Sequence, residues 1–376
     1  MTTGISLNSK KLEYTGPSFF RQRLVLSTLS TLPIIISDIR YGEEEPGIRE
    51  YEAGVIWLLE KIMSGAAIEI NETGTRIVYK PGILIGGPIE HVCNLDKSIG
   101  YYLEVLLMVA PFCKEPIKAR FKGVTNCCDD PSVDYLKHTS LKLLDRAGIS
   151  PGLDIKIISR GAKPLGGGEV LFTCPVIQKL KPLHWLDPGL VKKVRGIACT
   201  MRVAPTNANR MIDECRGVFN RFLPDVFIVS DHAKGKESGK SPGYGMCLVA
   251  ETTSGTLLAA NTFTSVGEGI HPDRPEDIGK NCSHLLLEEI FRGGCVDTRN
   301  QSLVLLLMAM ASDGVSRVIM GYLTDYTIEF LRHLKDFFGV MFKVETKPDS
   351  TGGMHRQLVY LSCSGMGYWS IGRPTF

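Results

Sequence analysis

The chain has 376 residues, of which 44% are hydrophobic and 22% charged, and its formal net charge is +3. This length exceeds one ordinary hydrophobic core and predicts more than one packed unit, while the small net charge does not by itself indicate a nucleic-acid-binding protein. No stretch approaches the roughly 20 apolar residues of a membrane span, and the N-terminus lacks the apolar segment of a signal peptide, so we expect an intracellular protein that contacts no membrane.

The first predicted elements form one α/β unit. "LVLSTLSTLPIIISDIRYG" indicates a helix, a short turn and a strand. A second helix, from Glu52 to Gly65, carries Val55, Leu58, Leu59 and Ile62 on one face and is predicted to end at its glycine. "AAIEINETGTRIVYKPG" then alternates like a pair of strands.

The same order of elements recurs twice. A helix from Asp134 to Gly148 precedes the strand "LDIKIIS", a glycine loop and the strand "EVLFTCPV". A helix from Thr327 to Gly339 precedes "VMFKVETKPDSTGGMHRQLVYLSCSG", and the buried helix, turn and strand of "LVLLLMAMASDGVSRVIMGYLT" come before it. We therefore predict three similar α/β units.

The spacing of the helix-ending glycines predicts an insertion. Gly65 and Gly148 are 83 residues apart, whereas Gly148 and Gly339 are 191 apart. The extra residues contain a helix from Ala208 to Phe222, the strand "DVFIVSD", the polar stretch "HAKGKESGKSPGYG" and the strand pair "MCLVAETTSGTLLAANTF". We expect the polar stretch to be a mobile surface loop. The predicted domains are the first two repeats (1–182), an inserted α/β domain (183–280) and the third repeat (281–376).

Eleven cysteines are scattered without a C-x-x-C pair, which is typical of reduced thiols and indicates neither a disulfide framework nor a metal site.

The glycine loop "SRGAKPLGGGEVLF" is the most distinctive stretch. It lies between two predicted strands, whereas a P-loop or a dinucleotide fingerprint leads from a strand into a helix. Two interpretations remain: a structural hairpin turn, or a loop whose bare amides and Arg160 contact an anion.

Several segments resemble the RNA 3'-terminal phosphate cyclases, which use ATP to close a terminal phosphate into a 2',3'-cyclic ester. They are Arg160-Gly161, Pro164 and Gly166-Gly167-Gly168-Glu169, then "DIRYGEEEPGIREYEAG" and "MAMASDGVSRV". The resemblance spans nearly the whole chain. It implies an α/β (α+β) fold of three βαβαββ-type repeats that form a large domain, with a smaller inserted α/β domain.

Two departures from the family pattern predict the loss of cyclase chemistry. The glycine-rich N-terminal nucleotide motif is replaced by "GPSFFRQRLV", and Arg299 stands near the place of the histidine that accepts the adenylate. A guanidinium stays protonated and offers no lone pair to attack a phosphate. By spacing, neither His284, which we expect to be a packed or capping residue, nor His333 can substitute. We therefore expect no catalytic residue, no metal and no cofactor.

This combination is similar to the family's non-catalytic branch, the cyclase-like proteins of ribosome assembly. The resemblance implies a nucleolar protein of the small-subunit processome that binds a ribosome-assembly GTPase. It further implies a requirement for the early pre-rRNA cleavages that lead to 18S rRNA and 40S subunits. We expect a monomer when the protein is alone, because no heptad repeat or swapped arm is visible.

Basic residues remain in the segments that line the cyclase cleft, and with the loop glycines they form our candidate anion or RNA site. This set comprises Arg21, Arg23, Arg40, Arg49, Arg160, Gly166, Gly167, Gly168 and Arg299. The alternative is that these arginines pair with carboxylates such as Glu43 to Glu45. Arg332 and Lys335, on the charged face of "FLRHLKDFFG", are candidates for partner or RNA contact, or an ordinary solvated face.

Two enzymatic alternatives stay open. An active ATP-dependent cyclase would form a covalent adenylate. A pre-rRNA endonuclease would need clustered carboxylates with Mg²⁺, or an acid and a base astride the scissile bond. Asp129, Asp130 and Asp134 are the candidate carboxylates, although "CCDDPSVD" is also typical of a turn followed by a helix N-cap.

Overall fold

The computed structural model describes residues 11–265, 272–312, 314–349 and 356–368. The first repeat follows the predicted order of elements. Its bounds are β1 (Leu12–Thr15), α1 (Phe20–Ser30), β2 (Ile34–Ser37), α2 (Glu50–Lys61), β3 (Met63–Ser64), β4 (Ala67–Ile70), β5 (Ile77–Lys80) and β6 (Ile83–Leu84). The helix α2 ends before the predicted Gly65, because the chain turns at Ile62 into β3, which pairs with β6.

The second repeat has the same plan with a broken second helix. Its elements are β7 (Gly86–Val92), α3 (Ile99–Val109), β8 (Glu115–Gly123), α4 (Val133–His138), α5 (Ser140–Arg146), β9 (Asp154–Ser159) and β10 (Gly168–Cys174). Ser132 caps α4 by accepting the Tyr135 amide, as the N-cap interpretation predicts. The predicted single helix is interrupted at Thr139, which separates α4 from α5.

An inserted unit and the rest of the third repeat complete the chain. The elements are β11 (His184–Trp185), β12 (Val191–Met201), α6 (Thr206–Phe219), β13 (Val226–Ala233), β14 (Gly243–Thr252), β15 (Leu257–Ser265), α7 (Pro275–Arg292), α8 (Gln301–Met310), β16 (Val315–Met320), α9 (Asp325–Phe338), β17 (Lys343–Asp349) and β18 (Arg356–Ser364). Gly339 ends α9 with φ 69°, in the left-handed conformation that glycine adopts without strain.

Each repeat builds a four-stranded sheet with the same connectivity. The orders are β1-β2-β5-β4, β7-β8-β10-β9 and β11-β16-β18-β17. In each sheet the first pair is parallel and the other two pairs are antiparallel. The α/β fold of three βαβαββ repeats is confirmed.

The repeats share one core, and the inserted unit has its own. Every residue of α8 is buried, as expected for "LVLLLMAMA", and apolar residues from all three repeats pack around it. The inserted sheet, β13-β12-β14-β15, packs one face on α6 and α7 to form a second core.

The inserted unit differs in extent from the predicted 183–280. β11 pairs in parallel with β16 and so belongs to the sheet of the third repeat. The helix α7 packs on α6, β14 and β15, so it belongs to the inserted unit through Arg292. We therefore propose bounds of 191–292, with 184–185 as the first strand of the third repeat. The boundaries could not be placed from sequence because short β11 carries almost no pattern.

The polar stretch between β13 and β14 is packed against the protein, in contrast to the predicted mobile loop. It contains a short 3₁₀ helix, Gly235–Ser238, and both Ser238 and Ser241 are buried. The Arg160 amide donates to the Glu237 carbonyl at 2.8 Å, and the Lys240 amide donates to the Gly166 carbonyl at 2.9 Å. The stretch thus covers the glycine loop of the second repeat.

Candidate functional site

A cavity of about 50 Å³ lies where α1, α3, α8 and α9 meet, next to the 3₁₀ turn Thr298–Asn300. Two of the predicted cations, Arg21 and Arg299, contribute to its lining. The other lining residues are Gln22, Val25, Glu104, Val105, Met108, Ser302 and Tyr326. The structure therefore brings together two of the predicted site residues, one from each end of the chain.

Arg21 is fixed by its neighbours. Its guanidinium donates to the Glu104 carboxylate at 2.6 Å and to the Tyr101 carbonyl at 3.0 Å. The same group lies 4.0 Å from the centre of the Tyr101 ring. Arg21 therefore neutralises a carboxylate in the wall of the cavity.

Arg299 is exposed and, among the residues that the structure describes, has no ion-pair partner. Its guanidinium carbon lies 5.8 Å from the centre of the Tyr135 ring. An exposed guanidinium on an aromatic ring can still bind a phosphate through two parallel hydrogen bonds. This is the predicted cation that is best placed to contact an anion from solvent.

A buried polar network lies directly behind Arg299 and was not anticipated from the sequence. The Asp297 carboxylate accepts the Tyr135 hydroxyl at 2.5 Å and the Asn300 side-chain amide at 2.7 Å. Asn300 in turn accepts the Ser140 hydroxyl at 2.6 Å. Burial raises the pKa of Asp297 to about 6. The available signal was the D-x-x-N spacing, because Asp297 caps the turn by accepting the Asn300 amide.

The other predicted cations lie elsewhere. Arg23 is buried, stacks 4.6 Å from the Tyr14 ring centre and donates to the Gly16 carbonyl at 3.1 Å. Arg40 makes two 2.7 Å bonds to Glu52, and Arg49 bonds to Glu45 at 2.7 Å. These predicted cations therefore do not line one common pocket. For Arg40 and Arg49, the alternative of pairing with carboxylates describes the geometry.

Arg160 joins the second repeat to the inserted unit. Its guanidinium forms a two-pronged pair with Asp134 at 2.7 and 2.9 Å, and its Nε donates to Asp231 on β13 at 2.7 Å. Arg160 and Asp134 are both buried. Burial alone would raise the pKa of Asp134, but the charge and hydrogen bonds of Arg160 outweigh it and hold that pKa below its usual value. The predicted anion ligand already has two protein carboxylates.

The loop glycines permit close packing. The Gly166 amide donates to the Ala162 carbonyl at 2.8 Å, and Gly168 pairs with Gly123 in the sheet. A Cβ on Gly167 would lie 3.0 Å from the Lys240 amide nitrogen, and one on Gly166 would lie 2.7 Å from the Leu95 side chain. The hairpin interpretation describes this loop, which lies under the inserted unit and contributes no lining residue to the cavity at Arg299.

We expect Gly168→Ala to destabilise the protein. The new Cβ would lie 2.6 Å from Thr125 Cγ2 and 2.9 Å from the Gly123 carbonyl oxygen, so the hairpin must shift. The expected loss is about 1–3 kcal/mol in urea unfolding. Gly217→Ala on α6 is the matched control, because no atom lies within 4 Å of its Cβ, and it should be neutral or stabilising. Equal losses in both variants would contradict the packing role.

The two histidines considered as substitutes, His333 and His284, do not line the cavity. His333 is buried, its Nδ1 lies 2.9 Å from the Gln22 side-chain oxygen, and its ring packs edge-on against Tyr14. Burial, together with the charge of Arg23, lowers the pKa of His333 to about 4. His284 is exposed on α7, so the expectation of a packed or capping residue was wrong. Among the described residues, no imidazole lines the cavity.

Comparison with known proteins decides the family. A sequence profile described as RNA 3'-terminal phosphate cyclase matches residues 12–344. The chain belongs to the RNA 3'-terminal phosphate cyclase family. RNA 3'-terminal phosphate cyclase-like proteins of Mus musculus and Homo sapiens are each 52% identical over 98% of this chain and 99% of their own length. The rRNA processing protein rcl1 of Schizosaccharomyces pombe is 40% identical over 96% of this chain and 97% of its own.

Membership in the cyclase family does not supply a nucleotide site at Arg299. The cavity measures about 50 Å³, whereas ligand pockets usually measure about 300–1,000 Å³. The residues that line this cavity therefore leave no room for ATP.

The remaining predicted site residues lie on the surface or in ion pairs. Arg332 and Lys335 are exposed on α9, and Arg332 bonds to Glu329 at 2.8 Å. Of the candidate nuclease carboxylates, Asp129 faces Lys163, Asp130 faces Lys97 and Asp134 holds Arg160. In the described part of the chain, no group of three or more His, Cys, Asp or Glu residues could hold a metal, and no helix is long and apolar enough to cross a membrane.

Proposed function

We propose that this protein is a non-catalytic factor in rRNA processing. One observation carries the proposal: the exposed cation Arg299, which by resemblance stands near the place of the family's nucleophile histidine, lines the cavity, and no imidazole lines it within the described residues. A fixed cation cannot accept an adenylate, but it can bind a phosphate. The rRNA processing protein rcl1 of Schizosaccharomyces pombe, similar over nearly the whole chain, supports the choice of rRNA as the process served.

The finer proposal follows the cyclase-like branch of the family. The protein acts in the small-subunit processome of the nucleolus, with a ribosome-assembly GTPase, during the early pre-rRNA cleavages that lead to 18S rRNA and 40S subunits. The exposed charges of Arg332 and Lys335 on α9 are candidates for contact with that partner or with RNA. Arg299 and, behind it, Arg21 are candidates for contact with a phosphate of the pre-rRNA.

Incubation with labelled ATP and Mg²⁺ tests the absence of cyclase chemistry. We expect no covalent adenylate on the wild-type protein, and the same background on Arg299→Ala. The physical reason is that the cavity has no room for the nucleotide and that, among the described residues lining it, there is no imidazole to attack the α-phosphate. Label that remains on the denatured wild-type protein would overturn the non-catalytic assignment.

Replacement of rcl1 in Schizosaccharomyces pombe tests the cellular role. In a strain that can be depleted of its own protein, this chain should restore most of the mature 18S rRNA, measured by hybridisation. The double variant Arg332→Glu, Lys335→Glu should lose most of that rescue, because charge reversal repels an anionic partner. Lys118→Glu, Lys156→Glu, on exposed positions of the second sheet, is the matched control and should rescue normally. A stably expressed wild-type protein that leaves 18S rRNA unrestored would contradict the proposal.

A further inference from the structure

A groove of about 740 Å³ separates α5 from the inserted sheet, on the face of the sheet opposite α6 and α7. It is distinct from the cavity at Arg299, since the two share no lining residue. Apolar side chains from the sheet, together with Leu143 of α5, form much of its lining. Those of the sheet are Ile197, Phe227, Val229, Val249 and Leu257. The groove has the size of a binding site.

Two of these side chains are unusually exposed. Phe227 is 58% exposed and Val229 is 47% exposed, and both lie on β13. On the other face of the same strand, Ile228 is buried in the core of the inserted unit. A contiguous exposed apolar patch in a groove is typical of a surface that binds another molecule.

The strand that carries these residues is also an open edge. In the order β13-β12-β14-β15, β12 is the one strand that pairs with β13 within the described parts of the chain. Its eight residues include no lysine and no proline, and Val226–Ser230 are uncharged. Edge strands usually carry charges, prolines or bulges that prevent pairing with another chain. The first five residues of β13 lack these devices and can accept a further strand.

We propose that this groove binds an extended segment of a partner protein, which adds as a strand to the free edge of β13. Strand addition would satisfy the free backbone groups of the edge, while alternate apolar side chains of the segment would contact Phe227 and Val229. On the opposite wall, Lys142 is exposed and, within the described residues, has no ion-pair partner. An acidic residue in the bound segment would complement it. Arg146 is held on the Trp185 ring, with its guanidinium carbon 4.6 Å from the ring centre.

The geometry favours a separate segment over a second copy of this chain. In a second copy, that copy's own α5 lies across the groove from its β13, so the added strand would bring a helix layer with it on the groove side. Asp231, which accepts a hydrogen bond from Arg160, is a further lining residue of the groove. A single strand without a helix layer on that side fits between these walls.

A displayed library of random twelve-residue peptides, panned against the full-length protein, tests the proposal. We expect enriched peptides with apolar residues at alternate positions and an acidic residue. Phe227→Asp should weaken their binding at least about tenfold, which is about 1.4 kcal/mol. Phe222→Asp is the matched control, because Phe222 is 59% exposed in the same unit but lines a different surface pocket, and binding should be unchanged.

Hydrogen exchange provides a readout that does not depend on any variant. On the wild-type protein, an enriched peptide should slow amide exchange within Val226–Ala233, because the edge amides become hydrogen-bonded. Three results would each overturn the proposal: no enriched peptide, equal binding to both variants, or no protection of β13. A wild-type dimer in sedimentation that Phe227→Asp converts to monomer would identify a second copy as the occupant instead.

Discussion

Arg160→Ala should destabilise the protein by about 3–5 kcal/mol. The substitution removes both hydrogen bonds to Asp134 and leaves that carboxylate buried without a cation. It also breaks the bond to Asp231, so the contact between the second repeat and the inserted unit is weakened. Urea unfolding should show this as a lower midpoint.

The double variant Arg160→Met, Asp134→Leu controls for the cause. If the loss arises from an uncompensated buried charge, removing both partners should cost less than Arg160→Ala alone, because apolar side chains tolerate burial.

The cost of Arg160→Ala should also depend on pH. The folded pKa of Asp134 lies below its ordinary value of 3.8, so the ion pair stabilises the fold above that value and the stabilisation is lost as the pH falls. A loss below about 1 kcal/mol at neutral pH would contradict this role.

The repeats could be predicted because their signals are local. The apolar faces of α2 and α9 and the glycine after α9 lie within single segments, so helix periodicity and capping rules apply to them directly. The buried helix α8 is apolar throughout and needs no partner to be recognised. The prediction of one continuous helix from Asp134 to Gly148 was wrong, because the chain is interrupted at Thr139 between α4 and α5.

The role of each arginine could not be predicted, because it depends on partners that are distant in sequence. Arg160 is 26 residues from Asp134 and 71 from Asp231. Arg21 is 83 residues from Glu104. A guanidinium near glycines is equally consistent with a bound phosphate and with a protein carboxylate, since both offer paired oxygens. Only the fold shows that Arg160 and Arg21 have carboxylate partners and that Arg299 has none among the residues that the structure describes.

The glycine signature therefore has a structural use in this chain. Lys240 and Gly239 of the inserted unit approach the loop so closely that Cβ atoms would not fit, and the loop amide of Arg160 bonds to Glu237. The motif that reveals the family thus forms the contact between the second repeat and the inserted unit. These glycines are therefore expected to matter for packing as well as for any ligand.

Asp297 should make the stability of the protein depend on pH in the opposite sense to Asp134. Its carboxylate is 1% exposed and bonded to neutral donors only, with Glu289 as a further unfavourable charge. The folded pKa, about 6, exceeds the ordinary value of 3.8, so the folded state binds the proton more tightly. Protonated Asp297 therefore contributes about 3 kcal/mol to the free energy of unfolding. This contribution is fully present below pH 3.8 and is lost as the pH rises through the folded pKa.

Asp297→Asn should remove that dependence, and urea unfolding of both proteins between pH 4 and pH 7 measures it. The difference between variant and wild type isolates the single site, because every other carboxylate titrates in both proteins. From pH 4 to pH 7, the free energy of unfolding of the variant should rise by about 3 kcal/mol relative to that of the wild type. Tyr135→Phe removes a hydroxyl that stabilises the charged form, so it should move the titration to higher pH. A difference that stays constant with pH would show that the buried carboxylate does not titrate in this window.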